Sequence, residues 1–145
     1  MIRTASPQDI PEIQKLEDES FNIDAFSHRR MSYLIKKAQS ATLVYENNGI
    51  RGYILLLFRM DTPAARVYSI CVHPAYRKMG IGTELMRAAE RLAVERKCTK
   101  MTLEVSELNS DAIAFYQALG FRTVKKLENY YSGGVDGLRM EKTLP

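Results

Sequence analysis

The chain reads as an α/β protein with antiparallel hairpins in its first half and a strand–helix–strand–helix crossover in its second. Three observations predict this. Apolar residues recur at helical spacing in some segments and at strand spacing in others. Asn/Gly and Pro signals separate neighbouring segments. The segments follow one another in the order β-α-α-β-β-β-α-β-α-β-β.

Residues 2–5, "IRTA", open as a short strand. The segment 6–21, "SPQDIPEIQKLEDESF", begins a helix: Asp9 can cap it, Glu12 three residues on completes a capping box, and Pro11 sits in the first turn, where its missing N–H costs little. Ile10, Ile13 and Leu16 make its buried stripe. A second helix, 27–39, is capped by Ser27 and carries Met31, Leu34, Ile35 and Ala38 at helical spacing. "ATLVYE" and "IRGYILLLFRM", joined by "NNG", form a hairpin. After the break at "DTPA", residues 65–72, "ARVYSICV", are a strand. A long amphipathic helix runs from Gly80 or Gly82 to about Lys97, with Ile81, Leu85, Ala88, Ala89 and Leu92 inward. "KMTLEV" is a strand, "SDAIAFYQAL" a helix capped by Ser110, and Gly120 its C-terminal cap. "FRTVKKLEN" and "DGLRMEKTL" are the last two strands, joined by the loop "YYSGGV".

A chain of 145 residues fits one compact domain, 1–145, with enough core to need no disulfide staples. Its longest apolar run, "YILLLF", is far too short to span a bilayer, and "MIRTASPQD" lacks the apolar core of a signal peptide. The expected compartment is therefore the cytoplasm, without membrane association. Cys71 and Cys98 form no CxxC pattern or zinc spacing, and no metal site is expected. The net charge of +4 suits an anionic ligand but is also explained by solubility, and no nucleic-acid motif accompanies it.

The stretch "RKMGIGTELM" is the strongest local signal. It lacks the third glycine of a dinucleotide fingerprint and the Gly-Lys-Ser/Thr of a P-loop. The physics is nevertheless of that type. Gly80 and Gly82 permit unusual backbone angles and close approach, the following helix points its free N–H groups at the loop, and Arg77 and Lys78 add charge. This is either an anion cradle or simply a tight strand-to-helix turn.

Four other residues can carry chemistry. Tyr116 shares a helix face with Ala112, Phe115 and Leu119, and reads as a packed core tyrosine or as a proton donor. Glu104 lies with Thr102 on the strand face opposite Met101, Leu103 and Val105, either in solvent or in a cleft. Cys71 and His73 lie two apart on one strand face, where a thiol–imidazole nucleophile is conceivable. A small buried cysteine beside a strand-ending His-Pro is the better reading.

Arg77-x-x-Gly80-x-Gly82 after a strand resembles the acetyl-CoA motif of the GNAT superfamily, the Gcn5-related N-acetyltransferases. "LEVSELNSDAIAFYQALGF" is similar to the second half of that core, and with the following "ENYY" it resembles the RimI-like ribosomal-protein alanine N-acetyltransferases. The resemblance covers essentially the whole chain. It implies a GNAT-like mixed, mostly antiparallel central sheet flanked by helices. It also implies an acyltransferase with acetyl-CoA as donor and CoA as product.

In such proteins Arg77, Lys78, Met79, Gly80, Ile81, Gly82 and Thr83 would wrap the CoA diphosphate with backbone N–H groups. Ile70, Cys71 and Val72 would pair with the pantetheine arm and polarise the thioester carbonyl. Asn109 would contact the same arm, its plainer role being to cap the next helix. Tyr116 would be the general acid and Glu104 the base, directly or through water. The amine would attack the thioester directly, with no acyl-enzyme.

The expected acceptor is the N-terminal α-amine of a protein. Freeing such an amine (pKa ~7.8) at pH 7 costs roughly 1 kcal/mol, against roughly 4.6 kcal/mol for lysine (pKa ~10.4), which suits a lone carboxylate. Phe21, Phe26, Tyr130 and Tyr131 would clamp the peptide; the two tyrosines match the RimI-like pattern, the phenylalanines only loosely. The Pro-Trp pair usual in that first loop is replaced here by "NIDAF", and the chain has no Trp. Asp18, Glu19 and Asp24 keep a small-amine acceptor (polyamine, amino acid or aminoglycoside) open, and a non-catalytic CoA-binding module is a third reading. A monomer or homodimer is expected.

Overall fold

The computed structural model describes residues 1–21, 28–36, 39–59 and 61–145, with the side chains of 21, 28 and 29 outside the description. Among the described residues, seven strands and four α-helices follow the expected order: β1 (Ile2–Thr4), α1 (Ile10–Phe21), α2 (His28–Lys36), β2 (Ser40–Glu46), β3 (Ile50–Phe58), β4 (Ala64–Val72), α3 (Ile81–Glu95), β5 (Lys100–Ser106), α4 (Ser110–Ala118), β6 (Arg122–Tyr131) and β7 (Val135–Thr143). The strands form one sheet in the order β1-β2-β3-β4-β5-β7-β6. Among the described residues the β4–β5 pair is parallel and the other pairs are antiparallel.

The sheet separates two apolar layers. On one face α1 and α2 bury Ile10, Ile13, Leu16, Met31 and Leu34 against Val44, Tyr53 and Leu55. On the other, α3 lays Ile81, Leu85, Met86, Ala89 and Ala93 on Ile54, Leu56, Val67 and Leu103, with Tyr116 and Phe121 from the α4 region beside them. Ala88 and Leu92, expected inside, are half-buried, because the helix turns Met86 and Ala93 onto the sheet instead.

The β2–β3 turn is made as read, with Asn48 and Gly49 at φ 55 and 120. The helix caps differ. The capping box sits one turn before α1: the Asp9 carboxylate accepts from the Ser6 N–H at 2.8 Å and from the Ser6 hydroxyl at 3.3 Å. Asp9 thus closes a 3₁₀ turn (Pro7–Asp9), and Arg3 binds it bidentately at 2.8 and 3.0 Å. Glu12 accepts instead from the Ile50 N–H at 2.6 Å and ties α1 to β3. The α4 cap is Asn109, whose Oδ1 accepts from the Ala112 N–H at 3.2 Å, and not Ser110. Tyr130 and Tyr131 belong to β6 and not to a loop; the loop is reduced to Ser132–Gly134, with Gly133 and Gly134 at positive φ. Ser27 as a cap and Ala38 as a core position lie outside the described residues.

Candidate active site

Parallel pairing between β4 and β5 runs only from Ala64↔Lys100 to Val67↔Leu103. Beyond that β4 continues to Val72 against β3, and β5 continues to Ser106 against β7. The two strands therefore splay, and each presents an edge of backbone N–H and C=O groups with no strand partner across the gap. A register shift in β4, where Ser69 pairs with Leu55 and Val67 with Leu56, leaves Tyr68 bulged at the point of separation. The wedge opens into a cleft of about 580 Å³, walled by β4, β5, the start of α4 and the β6–β7 turn.

Six of the residues singled out in the sequence meet there. Glu104, Asn109, Tyr116, Tyr130, Tyr131 and Ile70 all line this cleft. Tyr116 is packed between Phe115 and Phe121, with ring centroids 5.4 and 5.9 Å away. Burial pushes its phenol up to about 12, so it keeps its proton at neutral pH. Among the described residues its hydroxyl makes no hydrogen bond to protein, which leaves it available to a ligand. It is thus both the packed core tyrosine and a donor facing the cleft.

Glu104 is nine-tenths buried and held between two arginines that sequence reading passed over. Oε1 accepts from Arg66 Nε and Nη2 at 2.7 and 2.6 Å, and Oε2 from Arg139 Nε at 3.3 Å. Arg139 lies directly opposite Glu104 across the β5–β7 ladder, so a cross-strand charge pair was the available signal. Arg66 comes from the neighbouring parallel strand, and only the tertiary register brings it near.

Tyr130 and Tyr131 stack edge to face with centroids 5.0 Å apart. Tyr131 is pushed up to about 12, first by burial and then by the neighbouring Tyr130 and Glu104. Phe21 ends α1 with its side chain outside the description, and Phe26 lies outside the described residues.

The glycine loop lies at the far end of β4. Gly80 caps α3 at φ 82, a left-handed conformation suited to glycine, and Lys78 is at φ 63. A Cβ on Gly80 would meet nothing within 4 Å, whereas one on Gly82 would meet Phe115 at 3.2 Å. Gly82 thus lets α3 approach α4, and Gly80 leaves open space in front of the α3 N–H groups. Arg77 donates to the Val72 carbonyl at 3.2 Å and joins the loop to the open strand edge. Arg77, Lys78, Met79 and Gly80 are exposed, while Ile81 is buried in the core and Gly82 and Thr83 are partly covered. Open space, free helix N–H groups and two cations fit a diphosphate, and the unpaired edges of β4 fit an amide-bearing arm.

Cys71 points away from the cleft, into the α1 layer, where its thiol donates to Ser20 Oγ at 2.9 Å. Burial pushes it up to about 11, and His73 folds back to accept from the Ala75 N–H at 3.1 Å. The pair is no nucleophile; only the backbone of Cys71 faces the site.

The model of the Acetyltransferase (GNAT) family matches residues 8–121. The chain belongs to the GNAT acetyltransferase family. Among curated relatives, an N-alpha-acetyltransferase of Sulfurisphaera tokodaii is 42% identical over 122 residues, 76% of this chain and 73% of that protein. N-alpha-acetyltransferase 30 of Xenopus laevis is 37% identical over 91 residues, 63% of this chain. The match spans only 29% of that protein, and 22% and 21% of its human and mouse counterparts. Among solved structures, Ard1 from Thermoplasma volcanium superposes with TM-score 0.91 at 27% identity, covering 100% of this GNAT chain and 97% of that one. The Escherichia coli ribosomal-protein-S18-alanine N-acetyltransferase shares the fold with TM-score 0.90 at 22% identity, covering 99% and 93%.

One further group in the cleft carried a sequence signal that went unread. Glu17 stands on the apolar stripe of α1, four residues after Ile13, and is 2% exposed. A carboxylate on a buried helix stripe needs hydrogen-bond partners; here Tyr53 donates to it, and Ser69 stands 2.9 Å behind the Tyr53 hydroxyl.

Proposed function

We propose that this chain acts as one domain, an acetyl-CoA-dependent N-acetyltransferase whose acceptor is the N-terminal α-amine of a protein. The observation that carries the reading is the cleft between the splayed β4 and β5, where Glu104, Tyr116 and Tyr131 converge beside an unpaired strand edge. The N-alpha-acetyltransferases among its relatives support the choice of amine. Acetyl-CoA supplies the activated acetyl thioester. The backbone N–H groups of residues 77–83 and the cations Arg77 and Lys78 bind the diphosphate. The free edge at Ile70, Cys71 and Val72 holds the pantetheine amides, with Asn109 on the opposite wall, and a backbone N–H there polarises the carbonyl. Glu104, fixed by Arg66 and Arg139, accepts a proton from the attacking nitrogen, directly or through water. Tyr116 gives its proton to the leaving sulfur and recovers one afterwards. Tyr130 and Tyr131 bind the first residues of the acceptor.

Among the described residues no helix is long and apolar enough to cross a membrane. The free, buried Cys71 and Cys98 suit the reducing cytoplasm, which is the compartment proposed.

The test is release of the CoA thiol from acetyl-CoA with an Ala-starting peptide that contains an internal lysine, compared with the same peptide blocked at its N-terminus. Release from the free peptide alone is expected. Equal release from both moves the acceptor to lysine. Release only with polyamines or other small amines overturns the protein-terminus reading, and absence of release with every amine leaves a CoA-binding module.

A further inference from the structure

Acetylation takes two protons from the acceptor nitrogen, since R–NH₃⁺ ends as R–NH–CO–CH₃. One is matched by the proton that the departing thiolate gains; the other is a net product. Glu104 and Tyr116 account for a single exchange. The cleft holds a second carboxylate, Glu17, which those roles leave unused.

A proton count sets the direction of the described hydrogen bonds around it. The Tyr53 hydroxyl donates to Glu17 Oε1. A phenol has one proton, so at the 2.9 Å contact between Tyr53 Oη and Ser69 Oγ the serine is the donor. The alternative partner of Ser69, Glu17 Oε1 at 3.4 Å, lies on the same inward side. Ser69 lines the cleft with its one proton turned inward, so what it offers outward is lone pairs. A group that presents only an acceptor recognises a donor, and the donor required here is an ammonium.

We propose that Ser69, Tyr53 and Glu17 form a proton relay that takes the first proton from the acceptor ammonium. This rests on the N-acetyltransferase reading above. One ammonium N–H bond breaks and its proton goes to Ser69 Oγ. The serine proton passes to Tyr53 Oη, and the tyrosine proton passes to Glu17 Oε1. The nitrogen keeps the electron pair and becomes a nucleophile, while Glu17 becomes a neutral acid. No electrons are exchanged, and Glu17 later returns its proton to solvent through the same chain. Glu104 is left to take the second proton, which leaves as the N–C bond forms.

Burial, followed by the charge and hydrogen bond of Glu17, holds the Tyr53 phenol well above its ordinary range. It therefore passes a proton on only as it receives one. Among the described residues, the charged or titratable groups around this relay include Tyr53 from β3, Cys71 and Tyr68 from β4, Arg30 from α2 (which donates to the Tyr68 hydroxyl at 2.7 Å), and Arg66, Glu104, Tyr116, Tyr130 and Tyr131 across the cleft.

The experiment compares kcat/KM for a free N-terminal peptide between pH 6.5 and 9 in the wild type, Ser69→Ala, Ser69→Thr and Glu104→Gln. At pH 6.5 only about one α-amine in twenty is unprotonated; at pH 9 nearly all are. Ser69→Ala is expected to lose about tenfold at pH 6.5 and less than twofold at pH 9, with Ser69→Thr close to wild type. Glu104→Gln is expected to lose a similar factor throughout. A Ser69→Ala loss that is constant with pH, or absent at pH 6.5, overturns the relay and leaves the transferase reading intact. A wild type that acetylates no amine overturns both. A second measurement needs no variant: in mixed H₂O/D₂O the wild-type rate at pH 6.5 should curve with deuterium fraction, as several protons move together. A straight line there rejects the relay even if Ser69→Ala fails to fold.

Discussion

Gly137→Ala tests whether Tyr130 and Tyr131 hold the acceptor. Gly137 lies in β7 opposite Ser106 of β5 and Leu127 of β6, with both tyrosines folded over it. A Cβ there would meet Tyr131 Cε2 at 3.0 Å and Tyr130 at 3.2 and 3.3 Å. Its φ is not in the left-handed region, so alanine adopts the backbone without strain and the effect is purely steric. The rings must move by a few tenths of an ångström. Overpacking of this kind costs about 1–3 kcal/mol, and the low end applies because Tyr130 is 44% exposed and can swing outward. Replacing a strand glycine recovers roughly 0.5–1 kcal/mol of backbone entropy, so global stability should change by less than about 1 kcal/mol. A peptide that uses both rings, however, loses their geometry. If about 1 kcal/mol of that appears in binding, KM for the peptide rises about fivefold. KM for acetyl-CoA should stay unchanged, because residues 77–83 lie at the far end of β4. Steady-state kinetics with each substrate varied in turn, beside a thermal melt, makes the measurement. An unchanged peptide KM, or an equal rise in both KM values, would refute the clamp.

Two other substitutions separate chemistry from packing. Tyr116→Phe keeps the ring between Phe115 and Phe121 and removes a hydroxyl with no protein partner among the described residues, so stability should shift by less than about 1 kcal/mol. kcat should fall about 10²-fold or more, and a loss below about threefold rules out a proton-donor role. The Arg3 hydrogen bonds hold the Asp9 carboxyl at about 2, below its ordinary 3.8. A depressed folded value stabilises above the unfolded one, so this contribution is full above about pH 5 and disappears as pH falls from about 4 towards 2. Screening at the solvent-facing Arg3 limits it to about 1 kcal/mol. Urea midpoints in this window should fall less steeply in Asp9→Asn than in the wild type, and equal slopes would contradict the assignment.

The parts of the site that could be read in advance are local ones. Arg77-x-x-Gly80-x-Gly82 announces its own turn, because glycine dihedrals and the free N–H groups of a helix start are properties of a few consecutive residues. Tyr116 and Glu104 could be placed on faces by period alone. What each face meets was not readable in the same way. The Tyr130–Tyr131 pair read as loop, yet a bulge at Asn129, where φ is 51 and the N–H donates to Asp136 at 2.9 Å, carries β6 on through it. Asp9 acts one turn earlier than its spacing predicts, because the Ser6 N–H and Arg3, on β1, take its carboxylate.

By itself the sequence determined the order of elements, most of the apolar stripes, the hairpin turn and the glycine turn before α3, since each follows from spacing within one segment. Only the tertiary structure decided where β4 and β5 part, that Arg66 and Arg139 hold Glu104, and that Glu17 meets Tyr53 and Ser69 beneath the cleft. Those contacts join residues 35 to 52 positions apart. Periodicity names the face on which a side chain lies, but the partner across that face is fixed only by strand order and register.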